Sequence, residues 1–310
     1  MHIHTDINNI PAFKKAVITI GTFDGVHKGH QQIIDQLLKE ATDINGTAVL
    51  ITFFPHPKQV VSHNKSPLYT INSPEEKYAL LYEKGIEHIV VVPFDKAFAE
   101  QPATAYIEDF LVKRFHPHTI IIGYDHRFGN NREGDYHLLE KEAARYGFSV
   151  KEIPEHVLEN VTISSTKIRE ALLNGDIDMA AGYLGYNYFF SGRVVKGNQL
   201  GRTIGYPTAN IHIENEQKLV PANGVYAVTV SIKGREGLWK GMMNIGIRPT
   251  VDGTKRVIEV NIFDFDEMIY DEDLTITLQK QLRYEVKFNG LDELKAQLAR
   301  DKENALRALE

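Results

Sequence analysis

The sequence predicts an α/β protein of two domains: a Rossmann-like domain with a parallel sheet, followed by an antiparallel β-barrel that a helix closes. Three observations support this prediction. The chain has 310 residues, which is long for one hydrophobic core. Its first half alternates short apolar runs with helical stretches, as βαβ units do. From about Phe189 onward, strand-like runs follow one another almost without helices.

In the first half, the strand-like runs alternate with helices. VITI at 17–20 is typical of a buried strand, and Ile33, Ile34, Leu37 and Leu38 then recur at helical spacing. Further strands are expected at AVLITF, HIVVVPF, TIIIGY and FSVKEI, with helices at PEEKYALLYEKG and ATAYIEDFLVKR. Strands connected through helices in this way form a parallel sheet. Such a sheet binds ligands beyond the carboxyl ends of its strands.

In the second half, two helical stretches, VTISSTKIREALLNG and DIDMAAGYLG, come before the strands. The strand-like runs are FFSGRVVKG, VYAVTVSI, LWKGMMNIG, RVIEVNIF and LTITLQKQLR, and LDELKAQLARDKENALRAL predicts the closing helix. The change of pattern places the domain boundary near 184–188. We therefore expect domains at 1–185 and 186–310.

Composition excludes several classes of protein. A hydrophobic content of 43% and a charged content of 25% are typical of a globular protein. A net charge of −6 gives no bulk attraction to nucleic acid or to an anionic membrane, so neither is expected as a partner. The absence of cysteine excludes disulfides and thiolate sites. With no signal core or membrane-spanning run, we expect a cytoplasmic protein, and a homo-oligomer is compatible with the sequence.

The stretch GTFDGVHKGH at 21–30 joins a strand to a helix and predicts a phosphate site. Its glycines, at 21, 25 and 29, let backbone approach a ligand, and the N–H groups that begin the helix attract anions. His27 and His30 are three residues apart, so both can face one polyphosphate. Two alternatives stay open: the histidine pair could bind a metal, and Asp24 could only cap the turn.

The stretch ISSTKIREAL at 163–172 predicts a second group of phosphate-binding residues. Ser164, Ser165 and Thr166 lie where a helix N-cap is expected, with Lys167 and Arg169 in the first turn. Hydroxyls, N–H groups and two cations together suit a phosphate. An ordinary capped helix with a solvated basic face is the alternative.

Several motifs together resemble one family. GTFDGVHKGH is similar to the HxGH signature of nucleotidylyltransferases in the form carried by prokaryotic bifunctional riboflavin kinase/FAD synthetases. FFPHP at 53–57, GYDHRFGNNREGD at 123–135 and ISSTKIREAL are similar to other motifs of that family's adenylyltransferase module. GRVVKGNQLGRTIGYPTANI, GMMNIGIRPTV and LRYEVKF are similar to its flavokinase module. The resemblance covers nearly the whole chain.

The resemblance implies two reactions and an adenylyltransferase site in the first domain. Riboflavin and ATP would give FMN and ADP, and FMN with a second ATP would give FAD and pyrophosphate. The implied catalytic histidines are His27 and His30. The implied ATP-binding residues are Gly21, Phe23, Asp24, Gly29, Ser164, Ser165, Thr166 and Arg169, and the implied flavin-binding residues are Asp125, His126 and Phe128. His126 departs from the family, which usually has an aromatic hydrocarbon ring there.

In the second domain the resemblance implies a kinase site with Mg²⁺. Thr208 and Asn210 would supply oxygen ligands near the metal, which suits magnesium. The implied nucleotide-binding residues are Gly197, Gly201, Thr203, Pro207, Thr208 and Asn210, and the implied flavin-binding residues are Arg283 and Phe288. The alternative for Thr208 and Asn210 is a turn after Pro207.

Glu259 is the implied catalytic base of the kinase. In RVIEVNIF it shares one face of the strand with Val257 and Asn261, while the apolar residues take the other face. It therefore faces outward or into a cleft, and a solvated strand glutamate is the alternative. The family commonly has glycine where this chain has Asp271, a position at which a turn with positive φ would strain aspartate.

Three other functions are weighed against this hypothesis. The first is an FMN adenylyltransferase whose barrel only binds flavin or regulates. The second is a nucleotidylyltransferase for another acceptor, which would not explain the barrel motifs. The third is a flavin-responsive binding protein without chemistry. Because the catalytic set is present in both halves, the sequence favours the bifunctional enzyme.

Overall fold

The computed structural model describes residues 1–61, 67–153, 163–197, 199–250 and 253–310, with the side chains of 249–250 and 253–255 excluded. The described residues form two compact units. The first comprises Met1–Tyr69 and Lys77–Ser164, and the second comprises Thr70–Glu76 and Ser165–Glu310. The second unit takes in helices that precede residue 186, and the domain boundary expected there stays a prediction.

The first unit contains a parallel sheet of six strands in the order β1-β4-β3-β2-β5-β6. The strands are β1 His2–His4, β2 Val17–Ile20, β3 Ala48–Phe54, β4 His88–Pro93, β5 Thr119–Gly123 and β6 Ser149–Ile153. The predicted parallel sheet is confirmed. The edge strand β1 was not expected, because three residues are too few for a recognisable alternation.

Helices cover this sheet. They are α1 Lys28–Asp43, α2 Pro57–Val61, α3 Pro74–Glu83, α4 Lys96–Ala99, α5 over 103–115 and α6 Tyr136–Tyr146. Helix α5 is α-helical at Ala103–Ala105 and Lys113–Phe115 and π-helical at Tyr106–Val112, and a short 3₁₀ turn forms at Asn130–Arg132. Ile34 and Leu37 of α1 are fully buried, as the helical spacing predicted.

The second unit contains a closed antiparallel barrel with the cyclic strand order β10-β11-β8-β7-β12-β9. The strands are β7 Phe189–Val195, β8 Ala209–His212, β9 Gly224–Ile232, β10 Trp239–Thr250, β11 Gly253–Ile262 and β12 Asp273–Arg283. The predicted barrel is confirmed. Its interior is apolar, because alternate residues such as Ile258, Val260 and Ile262 point inward and are buried.

Helices accompany the barrel: α7 Ser165–Asn174, α8 Ile177–Leu184, α9 Leu200–Thr203 and the C-terminal α10 Leu291–Ala308. The predicted C-terminal helix is confirmed. Ala305 of α10 packs against Ala227, Met242 and Phe263 of the barrel. Burial of these apolar side chains holds the helix on the strands.

A buried ion pair joins segment 70–76 to the barrel strands of the same unit. The Lys218 ammonium lies 2.5 Å from Glu76 Oε2 and also donates to the carbonyls of Ile71, at 2.6 Å, and Phe189, at 3.0 Å. Both charged side chains are almost fully buried. The second carboxylate oxygen of Glu76 accepts from the backbone N–H of Ser191 at 2.9 Å. Such a pair is stable because its hydrogen bonds replace the lost hydration.

Candidate functional sites

The first candidate site is the loop between β2 and α1, at the carboxyl end of a central strand. Gly21 begins the loop and donates its N–H to the carbonyl of Ile51 at 3.0 Å. Three residues of the loop have positive φ: 49° at Phe23, 90° at Gly25 and 35° at Val26. This conformation costs free energy at Phe23 and Val26, and strain of this kind concentrates at functional sites.

His27 caps α1 with its own side chain. Its backbone is extended at φ −68° and ψ 170°, and its Nδ1 accepts the backbone N–H of His30 at 3.3 Å. Because Nδ1 is an acceptor, the neutral ring carries its proton on Nε2. His27 is only 7% exposed. The cap therefore fixes the orientation of the ring at the start of the helix.

His30 stacks on His27, with ring centroids 3.7 Å apart and an interplanar angle of 15°. Burial lowers the pKa of His30 well below its usual value, and the charges of His27 and Lys77 lower it further. The ring is therefore neutral at pH 7. Among the described residues, its Nδ1 has no hydrogen-bond partner. The two histidines can thus offer hydrogen bonds to an anion without charge repulsion between them.

A charged residue outside the sequence motifs, Lys77, also contacts this loop. Lys77, on α3, donates from Nζ to the Thr22 carbonyl at 3.3 Å and to Thr52 Oγ1 at 3.1 Å. Burial lowers the pKa of Lys77 to about 8, and Asp24 opposes this shift. Asp24 is buried, at 4% exposure. In the sequence, Lys77 follows two glutamates on an ordinary amphipathic helix, so no local signal marks it.

The segment 123–135 forms a tight loop after β5. Phe128 and Gly134 exchange both backbone hydrogen bonds, at 3.1 and 2.9 Å. The Phe128 ring is 5% exposed and stacks on Tyr106 at 4.9 Å, so it belongs to the hydrophobic core. Asp125 is exposed, and burial lowers the pKa of His126 to about 4. The flavin contacts of these residues stay a prediction.

The ISSTKIREAL motif begins α7. The helix starts at Ser165, directly after Ser164, as expected for an N-cap at this point. Thr166 and Lys167 are exposed, whereas Arg169 is half-buried. Ser164 belongs to the first compact unit and the helix to the second. The phosphate-binding role of this motif stays a prediction.

The second candidate site lies on the outer face of the barrel. Glu259 of β11 stands directly opposite Asn210 of β8 on one side and Asn244 of β10 on the other. Directly paired residues point to the same face of a sheet, so the three side chains are neighbours. Gly197 lies against Asn210, and a Cβ at position 197 would overlap the Asn210 side chain. Asn198, in the same predicted loop, is outside the described residues.

The PTAN turn is held by hydrogen bonds that the sequence did not reveal. Asn261, which is 7% exposed, donates from Nδ2 to the Pro207 carbonyl at 2.6 Å. Tyr206 N–H donates to the carbonyl of Gly201 at 2.8 Å, which brings the loop back toward Thr208. Asn261 shares the predicted polar face with Glu259, and its role is to fix the turn that precedes Thr208 and Asn210.

Glu259 is paired with an arginine. Arg248 of β10 donates from a guanidinium N–H to Glu259 Oε2. The Glu259 side chain is 16% exposed and that of Arg248 is 43% exposed. The carboxylate is therefore held in one orientation at the edge of solvent. No local sequence signal marks Arg248, because its partner lies on the neighbouring strand.

A small cleft of about 70 Å³ adjoins the PTAN turn. Arg202, Pro207, Thr208, Met268 and Tyr270 are among the residues that line it. Thr203, a predicted nucleotide-binding residue, is exposed at the end of α9 and donates to the carbonyl of Leu200 at 2.7 Å. Thr208 thus borders a cleft that has apolar, cationic and acidic side chains in its lining.

Arg283 and Phe288 occupy the end of β12 and the segment after it. The guanidinium donates to both carboxylate oxygens of Asp301, at 2.7 to 3.1 Å, and lies 5.7 Å from the Phe288 ring centre. Asp301 is 1% exposed on α10. Arg283 thus fastens the C-terminal helix, and its contact with flavin stays a prediction.

The described ranges hold neither a metal-binding cluster nor a membrane-spanning helix. There, no group of three or more His, Asp or Glu side chains is arranged to hold a metal ion. No helix among the same residues has the length and apolar content needed to cross a membrane.

Family models match both halves of the chain. The FAD synthetase model matches residues 9–167, and the riboflavin kinase model matches residues 184–309.

Curated relatives match almost the full length. Proteins named bifunctional riboflavin kinase/FMN adenylyltransferase from Escherichia coli (strain K12), Haemophilus influenzae and Bacillus subtilis are 40%, 38% and 36% identical to this chain. The alignments cover 92%, 93% and 94% of this chain and 90%, 92% and 92% of the relatives.

One solved structure is similar over 97% of both chains. It has a TM-score of 0.86 and 32% sequence identity, and it is described as a macrolide-efflux protein from Streptococcus pneumoniae.

Proposed function

The chain belongs to the family of bifunctional riboflavin kinase/FMN adenylyltransferases, and we propose that its two candidate sites carry out the two reactions of that family. The barrel site phosphorylates riboflavin to FMN with ATP. The loop at 21–30 then transfers AMP from a second ATP to FMN, which gives FAD and pyrophosphate. The family resemblance inferred from the motifs is confirmed by these matches.

One observation supports a catalytic barrel over a barrel that only binds flavin. Glu259 stands opposite Asn210 on paired strands. Glu259, which can accept a proton, and Asn210, which can bind a metal ion near the phosphates, therefore lie on the same face of the barrel. A barrel with a purely binding role would have no need of this arrangement.

In the kinase reaction, the terminal hydroxyl of riboflavin attacks the γ-phosphorus of ATP and ADP leaves. Glu259 accepts the proton of the hydroxyl as the bond to phosphorus forms. Arg248 holds the carboxylate in place before substrate binds. The Arg202 side of the cleft receives the nucleotide, next to Thr208.

Mg²⁺ fits the residues beside Glu259. The Thr208 hydroxyl and the Asn210 amide are hard oxygen donors, and Gly197 leaves room beside Asn210 that a Cβ would fill. Magnesium would be held by these two residues. When bound, it neutralises charge on the nucleotide phosphates.

In the adenylyl transfer, an oxygen of the FMN phosphate attacks the α-phosphorus of ATP and pyrophosphate leaves. The phosphate is already an anion at pH 7, so the protein needs neither nucleophile nor base. His27 and His30 donate hydrogen bonds to the phosphate oxygens, and the N-terminus of α1 adds its backbone N–H groups. Ser164, Ser165, Thr166 and Arg169 supply further phosphate contacts, while Asp125, His126 and Phe128 border the flavin.

The test is incubation of the full chain with riboflavin, ATP and Mg²⁺, followed by chromatography of the flavins. We expect FMN to appear first and FAD to follow. FAD formed from added FMN, with no product from riboflavin, would instead show an adenylyltransferase with a non-catalytic barrel. No conversion of either flavin would contradict both assignments. We also propose that the enzyme acts in the cytoplasm, where a cysteine-free chain is at no disadvantage.

A further inference from the structure

The loop site contains a lysine that the mechanism above does not use. The ammonium of Lys77 reaches the carboxyl ends of β2 and β3, where it lies 3.3 Å from the Thr22 carbonyl oxygen and 3.1 Å from Thr52 Oγ1. Thr22 belongs to the loop itself, directly before Phe23. Lys77 thus holds the start of the proposed phosphate-binding loop through its hydrogen bond to Thr22.

The hydrogen bonding of Lys77 is incomplete. An ammonium has three N–H donors, and within the described part of the chain two neutral oxygens account for two of them. The buried Lys218 is different, because a carboxylate and two carbonyls take all three of its donors. Lys218 has the environment of a structural lysine. Lys77 keeps one donor for a further acceptor.

The charges around Lys77 belong to the same site. Asp24, from the loop, attracts the ammonium, and the ammonium lowers the pKa of His30 on α1. His27 stacks on His30 and is the next titratable group. Thr22 and Thr52 are the neutral groups that contact the Lys77 ammonium. One positive charge therefore stands among two histidines and a carboxylate in the predicted ATP site.

A polyphosphate needs more than the histidines provide. His30 is neutral at pH 7, and Nδ1 of His27 is used by the helix cap. The His30 ring thus gives hydrogen bonds but no charge. A triphosphate carries several negative charges, and a nearby cation out of bulk solvent stabilises them strongly.

We propose that Lys77 is a third phosphate-binding group of the adenylyltransferase site, whose remaining N–H contacts the polyphosphate of ATP. This proposal rests on the assignment of the loop at 21–30 to ATP. Thr22 and Thr52 fix the position of the ammonium, and Asp24 keeps it charged while the site is empty. When ATP binds, a phosphate oxygen accepts the third N–H of Lys77.

The test compares Lys77→Met with Lys84→Met in the full chain. Lys84 follows the same helix and is exposed, so its replacement removes the same charge outside the site. We expect Lys77→Met to lower kcat/KM for ATP in FAD formation from FMN by about 10²–10³-fold, as the loss of one preorganised donor does. Lys84→Met is expected to keep the parental value. Circular dichroism and denaturant unfolding of both variants check that the first unit has folded, because riboflavin phosphorylation reports only on the second unit.

The pH dependence of kcat/KM for ATP distinguishes a role for the charge of Lys77 from a purely structural role. The ammonium loses its proton as pH rises through about 8, so kcat/KM for ATP in the parent is expected to fall above that pH. Lys77→Arg keeps its charge throughout this range and is expected to lose that fall. A parental profile that stays flat above pH 8, or a fall that persists in Lys77→Arg, would overturn the proposal even if Lys77→Met did not fold. A parental kcat/KM in Lys77→Met would also overturn it.

Failure of this proposal is distinguishable from failure of the site assignment. If the loop does not bind ATP, a variant lacking both His27 and His30 makes FAD at the parental rate. If the loop binds ATP without help from Lys77, that variant loses activity while Lys77→Met does not.

Discussion

In the proposed reactions, the loop site and the barrel site bind phosphates by different means, and the difference follows from their nucleophiles. The loop site relies on a helix N-terminus, two stacked histidines and strained backbone at Phe23 and Val26. The barrel site relies on side chains whose positions are fixed by strand register, with Glu259 between Asn210 and Asn244. Only the barrel site, in this proposal, uses a base.

Protonation explains why only one site needs that base. The second pKa of a phosphate monoester is about 6, so FMN arrives as a ready nucleophile at pH 7. The hydroxyl of riboflavin must lose a proton as it attacks. A paired-strand scaffold suits a base, since it holds one carboxylate against a defined partner, Arg248. A helix N-terminus suits an anion that needs only to be bound and oriented.

The largest expected effect comes from His27→Ala combined with His30→Ala. FAD formation from FMN should fall by at least about 10³-fold, because each removed donor is worth about 10²–10³-fold. FMN formation from riboflavin should not change. Both rates are measured by chromatography of the flavins. His137→Ala, at an exposed position on α6, is the matched control, and parental FAD formation in the double variant would refute the loop assignment.

Glu259→Gln should have the converse effect. Glutamine keeps the size of the side chain but accepts no proton, so FMN formation should fall by about 10²–10⁴-fold. The loss should appear in kcat, with KM for ATP and riboflavin nearly unchanged. FAD formation from added FMN should stay at the parental rate.

The control for this variant is Glu303→Gln, an exposed glutamate on α10. A fall in both reactions would indicate misfolding or a shared site. No fall in FMN formation would make Glu259 a solvated strand residue paired with Arg248 and nothing more.

The sequence predicted the parts of both sites that lie close together along the chain. The loop at 21–30, the helix after it and the PTAN turn carry local signals in glycines, caps and periodicity. Residues recruited from other elements could not be found this way. Lys77 resembles any lysine on a solvated helix, and Arg248 meets Glu259 only through the β10 and β11 pairing. Arg283 was assigned to flavin by resemblance, while its contact with Asp301 depends on how α10 packs.

A third prediction sharpens the contrast between the two buried lysines. Lys218→Met leaves the buried Glu76 without its partner, which should lower the free energy of unfolding of the barrel unit by about 3–5 kcal/mol. Glu76→Gln should cost less, because the amide oxygen can still accept from Lys218, although the amide NH₂ then faces the N–H of Ser191. Trp239, the single tryptophan, lies in β10, so its fluorescence follows barrel unfolding in denaturant.

The double variant Glu76→Gln, Lys218→Met completes this comparison. Its destabilisation should be smaller than the two single effects added together, because no buried charge is left unpaired. Additive effects would mean that the pair is not coupled. FAD formation from FMN should be unaffected in a folded Lys218→Met protein, in contrast to Lys77→Met.

The smallest expected effect is at Asp271, in the turn between β11 and β12. Asp271 has φ 64° and donates its N–H to the Val194 carbonyl at 2.9 Å, so the turn does require the left-handed conformation. Glycine removes the strain but makes the unfolded chain more flexible, and these two effects nearly cancel. Asp271→Gly should therefore change the free energy of unfolding by less than about 0.5 kcal/mol, with unchanged kinase activity. Asp271→Val should lose about 1–2 kcal/mol, because a β-branched residue fits this conformation poorly. Denaturant unfolding followed by Trp239 fluorescence measures both, and equal stability of the two variants would show that the turn rearranges instead of holding its φ.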